Sequence, residues 1–200
     1  MTKLTAVIFI LSGLFAPQWE YEFNKDGITI WSKAVKGSDF REVKGYVCIP
    51  VDATRLWKGL NDHKKFMKAM TLVTASRDLE SCGPTCKYVY QAFHKQPVKP
   101  RHFIVEVHWL ESGKDAASKK IKQWWKKAKN KKPEGNLVEV NWTYGSWVLE
   151  AAAEGKKTKF TSMSYMDPGG VADFPYFVNK GSKQITWEFL NNIRKAAPHW

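Results

Sequence analysis

The sequence has little cysteine, few acidic residues and no recognisable catalytic motif. The nucleophile motif G-x-S-x-G, the zinc motif H-E-x-x-H and a phosphate-binding glycine loop are all absent. The five histidines are scattered, and we expect His94, His102 and His108 at the surface or edge of one hairpin. No cofactor and no metal site are expected, and the sequence favours a binding protein over an enzyme.

The shortage of acidic residues leaves a strongly basic chain. Lys and Arg number 32 against 19 Asp and Glu, and the formal net charge is +13. This excess favours anionic partners such as phospholipid head groups or nucleic acid. No nucleic-acid module such as an RNP-like strand is present. An anionic membrane surface is therefore the expected partner, and nucleic acid is a minor alternative.

The N-terminus reads as a targeting segment. Lys3 precedes an apolar run from Leu4 to Phe15, which is followed by Ala16. The run is too short to span a bilayer as a folded helix, and the pattern is typical of a signal peptide. We expect a signal peptide over 1–16, one domain over 17–200 and export to the periplasm or medium. Pro17 disfavours cleavage after Ala16, so an uncleaved anchor is the alternative.

The three cysteines are expected to have different roles. Cys82 and Cys86 flank a Gly-Pro-Thr turn between two strand-like runs, where opposed residues lie close enough for a disulfide. Cys48 is then expected to be a lone buried thiol. Metal binding by these cysteines lacks a second Cys/His pair at ligand spacing.

The hydrophobic period predicts α+β order. Asp52 is expected to cap a helix that breaks near Asn61 and Asp62. A long amphipathic helix is expected from Ala172 to Ala197. Strands are predicted by alternation and flanking turn residues over 27–31, 41–49, 72–81, 87–93, 103–110, 137–142, 145–151 and 157–166.

The order of these elements and four short motifs resemble the StAR-related lipid-transfer, or START, family in its bacterial secreted form. The resemblance covers roughly Trp19 to Ala197. The motifs are Lys25-Asp26-Gly27-Ile28, Pro100-Arg101-His102-Phe103, Gly145-Ser146-Trp147-Val148-Leu149, and Asp167-Pro168-Gly169-Gly170 with Pro175 and Asn179.

The resemblance implies a helix-grip (START/Bet v 1-like) fold, in which an antiparallel sheet wraps a long C-terminal helix. It also implies a hydrophobic tunnel that holds one lipid or similar ligand, without catalysis in most members. His102 stands where many members have Asp, and a tunnel without buried charge suits a weakly polar ligand. The residues expected to bind ligand are Tyr88, Tyr90, Val105, Val107, Val140, Trp142, Trp147, Phe177, Val178, Gly181 and Ile185.

The basic segment from Ser118 to Lys132 is predicted to be an interfacial helix. Its apolar residues fall at helical spacing and lysines cover the remaining positions. Tryptophan favours the head-group zone, and lysine is attracted to anionic lipids. The alternative is that the Trp pair packs on the protein's own sheet. The residues expected to dock on a membrane are Lys119, Lys122, Trp124, Trp125, Lys126 and Lys129.

These observations predict an exported monomer that binds a lipid or sterol-like molecule in an internal cavity and moves it to or from a membrane. A pocket enzyme of the cyclase or hydrolase type on the same fold is the first alternative. A basic surface-binding protein with a filled core is the second.

Overall fold

The computed structural model describes residues 18–96, 98–169 and 175–200. These residues form a sheet of ten strands with three α-helices. The strands are β1 (Glu20–Lys25), β2 (Ile28–Ala34), β3 (Arg41–Ile49), β4 (Val73–Gly83), β5 (Cys86–Lys95), β6 (Val98–Ser112), β7 (Lys120–Lys127), β8 (Val138–Glu139), β9 (Trp142–Ala152) and β10 (Lys157–Asp167). The helices are α1 (Ala53–Asn61), α2 (His63–Ala69) and α3 (Pro175–Ala196), and a 3₁₀ turn (Ala197–His199) follows α3.

The sheet is antiparallel along its main path, in the order β1-β2-β3-β10-β9-β7-β6-β5-β4. The short strand β8 adds a parallel pairing to β6. Helix α3 packs on β2 and β3, α1 packs on β7, β9 and β10, and α2 packs on β4 and α3. The helices thus cover one face of the sheet, called the inner face below, and the predicted helix-grip α+β fold is confirmed.

Aspartates cap the first two helices; the sequence predicted the cap at Asp52 and a break near Asn61 and Asp62. The Asp52 carboxylate accepts a hydrogen bond from the Arg55 backbone N–H, and α1 starts at the next residue. Asp62 interrupts the helical run and accepts hydrogen bonds from the backbone N–H groups of Lys64 and Lys65, which opens α2. Each carboxylate satisfies donors that a helix N-terminus leaves without partners.

The prediction of an interfacial helix in the basic segment was wrong. Residues 120–127 form β7, which lies between β6 and β9 in the sheet. Ile121 and Gln123 are buried on the inner face and Trp125 is half-buried there, whereas Trp124 points outward. The alternation of apolar and lysine residues satisfies a period of two as well as a helical stripe, and pairing with two neighbouring strands selected the strand.

One prediction about the cysteines is confirmed and the other was wrong. Cys82 and Cys86 form a disulfide across the β4–β5 hairpin, with their Cα atoms 5.0 Å apart. Cys48 is exposed and not buried. It lies between Val47 and Ile49 on β3, and the side chains of both neighbours are buried. Because successive side chains alternate across a strand, Cys48 must face outward.

Two predictions fall on residues that the structure does not describe. The signal peptide over 1–16 and the first residues of the predicted C-terminal helix, 172–174, lie outside the described ranges. Within those ranges, no helix is both long and apolar enough to cross a bilayer.

Helix α3 is held against the sheet by a close approach at Gly45. A Cβ atom built on Gly45 would lie 2.5 Å from Leu190 Cδ1 and 2.9 Å from Thr186 Cγ2, both on α3. Neither approach leaves room for a side chain, and Leu190 is fully buried. Glycine at this position therefore sets how closely the helix lies over β3.

We predict opposite effects for alanine at two glycines. Gly45→Ala should lower the free energy of unfolding by about 1–3 kcal/mol, because the added methyl overpacks the α3 interface. Gly181→Ala, in α3 itself, should be neutral or stabilise by up to about 1 kcal/mol, since nothing lies within 4 Å of the added methyl and alanine favours helix. Urea unfolding of both variants checks this. Equal effects at the two positions would contradict the interface described.

Candidate functional site

A pocket of about 230 Å³ lies between the helices and the inner face of the sheet. Its lining is mainly apolar, as is usual for sites that take small hydrophobic molecules. The helices and the turn after α2 supply Leu60, Phe66, Met70, Ile185 and Phe189. The strands supply Val89, Phe93, Phe103, Val105, Val107, Trp125, Trp147 and Met166, together with the polar residues described below.

The register of the sheet arranges this wall in rows. Gln123 on β7 is paired with Trp147 on β9, and Trp147 is paired with Ser162 on β10. Directly paired residues of neighbouring strands point to the same face, so these three side chains stand side by side. The row on one side is solid core, formed by the fully buried residues Ile121, Leu149 and Phe160. The row on the other side continues the pocket with Val107, Trp125 and Ser164.

Two tryptophans and two phenylalanines make the rigid part of the wall. The ring centroids of Trp125 and Trp147 lie 5.3 Å apart, and Trp147 lies 5.9 Å from Phe66 and 6.1 Å from Phe189. Trp125 is paired with Gly145 on β9, where a Cβ atom would collide with the Trp125 ring. The missing side chain at Gly145 therefore lets the indole lie across the sheet as a pocket surface.

Gln123 is an almost fully enclosed polar side chain of the wall, with 4% of its surface exposed. Its Oε1 atom accepts hydrogen bonds from the Trp57 indole Nε1 and from Asn61 Nδ2, each at 2.9 Å. An indole N–H can only donate, so the amide oxygen must be the atom that faces Trp57. The orientation of the amide is fixed by this pair of donors.

A second polar group lies on α2, β4 and β5. His63 Nδ1 lies 2.8 Å from Ser76 Oγ, and His63 Nε2 lies 3.0 Å from Asp78 Oδ1. Since a carboxylate only accepts, Nε2 donates to Asp78, and Nδ1 accepts from the Ser76 hydroxyl when it carries no proton. Lys87 also pairs with Asp78, at 2.9 Å. Gln91 Nε2 approaches Ser76 Oγ at 3.4 Å. Four of these residues, all except Asp78, line the pocket.

The structure brings together four of the eleven residues expected to bind ligand. Val105, Val107, Trp147 and Ile185 line the pocket. Val140 is fully buried and packs behind the wall with Val105 and Val107. Three α3 residues are not among those lining the pocket: Val178 and Gly181 are half-buried, and Phe177 is 67% exposed.

The placement of Tyr88, Tyr90 and Trp142 on the interior face was wrong. In β5, Val89 pairs with Val105 and faces the pocket, so Tyr88 and Tyr90 point to the outer face. There Tyr90 packs with Ile104, and its ring stacks under the Arg77 guanidinium at 4.2 Å. Trp142 is 37% exposed. Side chains alternate between the two faces along β5, so the register of the strand decides which of them face the pocket. Large aromatic residues can be buried on either face of a sheet where loops cover it.

The residues expected to dock on a membrane are also divided between the two faces. Trp125 belongs to the pocket wall, whereas Trp124 is 37% exposed on the outer face, stacked on His108 with centroids 5.5 Å apart. Several lysines of the segment form cross-strand ion pairs with glutamates and do not stand as free charge. These pairs are Lys119–Glu111, Lys120–Glu150, Lys126–Glu106 and Lys127–Glu139.

The Pro100–Phe103 motif has a structural role that its residues explain. Arg101 is 4% exposed, and its guanidinium donates hydrogen bonds to the backbone oxygens of Pro168 and Gly169. Burial lowers the pKa of Arg101. Arg101 therefore fixes the segment that leads from β10 towards α3. His102 is 2% exposed, so its expected surface position was wrong; its ring packs edge-on against Tyr90.

One group of side chains has the spacing of metal ligands. A ligand atom from each of Cys86, Glu106 and His108 lies within 4.8 Å of the other two. The Cys86 sulfur is bonded to Cys82, and the hydrogen bond from His108 to Glu106 lowers the pKa of that carboxyl. Because Cys86 is bonded to Cys82, the remaining contact of this group is between His108 Nε2 and Glu106 Oε1, at 2.6 Å.

No family model and no curated protein matches the sequence, and the matches found are to solved structures. A STAR-related lipid transfer protein from Xanthomonas axonopodis is 22% identical with a TM-score of 0.78, covering 90% of this chain and 98% of its own. Human STARD10 is 21% identical with a TM-score of 0.76, covering 91% and 74%. The Zhui aromatase/cyclase from Streptomyces is more distant, at 13% identity and a TM-score of 0.52, covering 79% and 93%.

The likeness to the first two extends over nine-tenths of this chain and includes the long C-terminal helix and the sheet beneath it. The sequence motifs predicted this architecture, and the chain has the helix-grip fold of the START, or StAR-related lipid-transfer, domains.

Proposed function

We propose that the chain binds one hydrophobic ligand, a lipid or sterol-like molecule, in the pocket beneath α3 and carries it to or from a membrane. The observation that carries this proposal is the pocket itself, walled by Trp125, Trp147 and Phe189 and bounded by solid core on one side. Burying an apolar ligand against such a wall is favourable at roughly 25 cal/mol per Å² of apolar surface removed from water.

Structural likeness supports the same reading. A solved protein of this fold is described as a STAR-related lipid transfer protein, and the match covers 90% of this chain. Many of the polar side chains of the pocket are engaged in hydrogen bonds within the protein. Thr143, for example, donates its hydroxyl to the Tyr165 backbone oxygen at 2.9 Å. Such a lining selects ligands by shape and apolar area more than by charge.

Filling the pocket tests the proposal. Val107→Trp places a large ring where a ligand would lie, so uptake of a fluorescent fatty-acyl lipid from vesicles should fall to background while the fold is kept. Val148→Trp makes the same change on the outer face of β9 and should leave uptake unchanged. Circular dichroism confirms folding of both. Unfolding of the Val107→Trp variant alone would show a solid core in place of a ligand site, and normal uptake by it would place ligand elsewhere.

We also propose that the outer face of β6 and β7 contacts an anionic bilayer, and that the chain is exported with removal of residues 1–16. Leu110 is 62% exposed beside Lys122, and the Lys122 ammonium lies 5.7 Å from the Trp124 ring centre. This surface combines apolar groups with lysines, on a chain of net charge +13. N-terminal sequencing of the exported protein checks the cleavage.

Vesicle binding tests this surface. Lys122→Gln should weaken binding to phosphatidylglycerol vesicles by about 1 kcal/mol at low salt, because it removes one charge near the head groups. Lys126→Gln should weaken binding less, because Glu106 pairs with Lys126. The loss should shrink as salt rises. Lys36→Gln, in the turn after β2, should have little effect. Equal sedimentation of all three variants with vesicles would remove this face from the proposal.

A hydrolase is the second candidate, favoured by the chain of hydrogen bonds through Ser76, His63 and Asp78. With Nδ1 unprotonated, His63 can take the Ser76 proton as the hydroxyl attacks an ester carbonyl, and Asp78 orients the ring. The ester C–O bond then breaks, the alcohol leaves with that proton, and water hydrolyses the acyl-serine to the free acid. If so, Ser76→Ala should reduce hydrolysis of p-nitrophenyl hexanoate to the uncatalysed rate. Ser164→Ala, another pocket serine, should not. Identical rates for wild type, both variants and buffer would exclude this candidate.

A further inference from the structure

Gln123 presents to the pocket a hydrogen-bond donor that has no partner among the described residues. Gln123 lines the pocket and is 4% exposed. Its Oε1 atom accepts hydrogen bonds from Trp57 and Asn61. Among the described residues, none accepts a hydrogen bond from its Nε2 group. A ligand oxygen that accepts from this amide gains affinity through a hydrogen bond that the described residues do not make.

The protein fixes the direction of this donor. Both partners of Oε1 are donors, and rotating the amide would set Nε2 against the Trp57 indole N–H. Trp57 does not line the pocket, and its ring is packed against Trp109 with centroids 6.0 Å apart. The amide is therefore held from behind, and Nε2 is the part of the group that is left for the pocket side.

The surroundings select an uncharged acceptor. Among the described residues that line the pocket, Lys87 has the cationic side chain, and it pairs with Asp78, which also contacts His63. Gln123 itself stands beside Trp147, which provides a flat apolar surface on the neighbouring strand. An ionised head group at this point would be buried without a counter-ion, which is far more costly than burying a neutral oxygen.

We infer that Gln123 Nε2 donates a hydrogen bond to a neutral oxygen of the ligand, of the ketone, hydroxyl or ester class, while the apolar part of the ligand lies along Trp147 and Trp125. This assignment rests on the proposed ligand-binding function and adds the chemistry by which the ligand is oriented. Gln123 is thus a specificity-determining residue, and it lies next to the solid row of core residues.

A matched ligand pair tests the inference. Decan-2-one and decane have similar shape, and the ketone oxygen only accepts. Their dissociation constants are measured by displacement of N-phenyl-1-naphthylamine, and selectivity is the ratio of the decane constant to the decan-2-one constant. Gln123→Met keeps side-chain length and removes the donor, so selectivity should fall by about tenfold, the value of a hydrogen bond worth 1.4 kcal/mol.

Two control variants distinguish the Gln123 amide from the hydroxyl groups of the pocket wall. Thr143→Val removes a hydroxyl already donated to Tyr165, and selectivity should stay within about twofold of wild type. Ser162→Ala removes a hydroxyl that is 5% exposed on the other side of Trp147, and the same result is expected. Loss of selectivity in Ser162→Ala with none in Gln123→Met would overturn the assignment.

A measurement on the unmodified chain covers the case in which Gln123→Met does not fold. With selective ¹⁵N-glutamine labelling, decan-2-one should shift one side-chain amide resonance strongly downfield and decane should not. Equal shifts with both ligands would overturn the inference and leave the proposed function standing. Failure of wild type to bind either compound would overturn the ligand-binding function as well.

Discussion

The architecture depends on the contact between α3 and β3 at Gly45. Because this position has no side chain, Leu190 and Thr186 reach the sheet backbone and hold the helix over β2 and β3. Other bonds fix the same helix along its length. Asn179 accepts from the Arg41 backbone N–H at 2.8 Å and donates to the Asp39 backbone oxygen at 2.9 Å. With α3 fixed over one half of the sheet, the other half is left to form the pocket wall.

The pocket keeps its shape because its walls are supported from behind. Arg101 ties β6 to the Asp167–Gly169 segment, and Trp57 and Asn61 hold the Gln123 amide. The Trp125 ring is fixed across Gly145. Binding to a preformed site avoids much of the cost of ordering side chains. The START-like motifs Pro100–Phe103 and Asp167–Gly170 thus act together through Arg101, far apart in sequence but joined by two hydrogen bonds to backbone oxygens.

The sequence predicted the order of the elements except for β1, which it missed, and β7, which it placed in a helix, because local signals decide the others. Caps such as Asp52, turns, and strict alternation in β2, β3, β9 and β10 act over a few residues. The pocket residues were predicted less completely, because the face of the sheet to which a side chain points depends on the register of its strand. In β5, a shift by one residue moves Tyr88 and Tyr90 from the pocket to the outer face.

The basic segment shows the same limit more clearly. Ile121 and Trp125 are four residues apart, which fits both a helical stripe and one face of a strand. Only the flanking strands β6 and β9 distinguish the two. Gln123 was passed over because a polar residue in a lysine-rich stretch looks exposed. The regular alternation of Ile121, Gln123 and Trp125 was the one signal in the sequence that could have placed it inside.

Native mass spectrometry of the chain after incubation with vesicles of mixed lipids tests the central claim most directly, since the claim is that one pocket under α3 holds one hydrophobic molecule. The account predicts a single adduct per chain whose mass matches a neutral, oxygen-bearing lipid. A spectrum containing only the unliganded chain, or a ladder of several weakly held lipids, would contradict it.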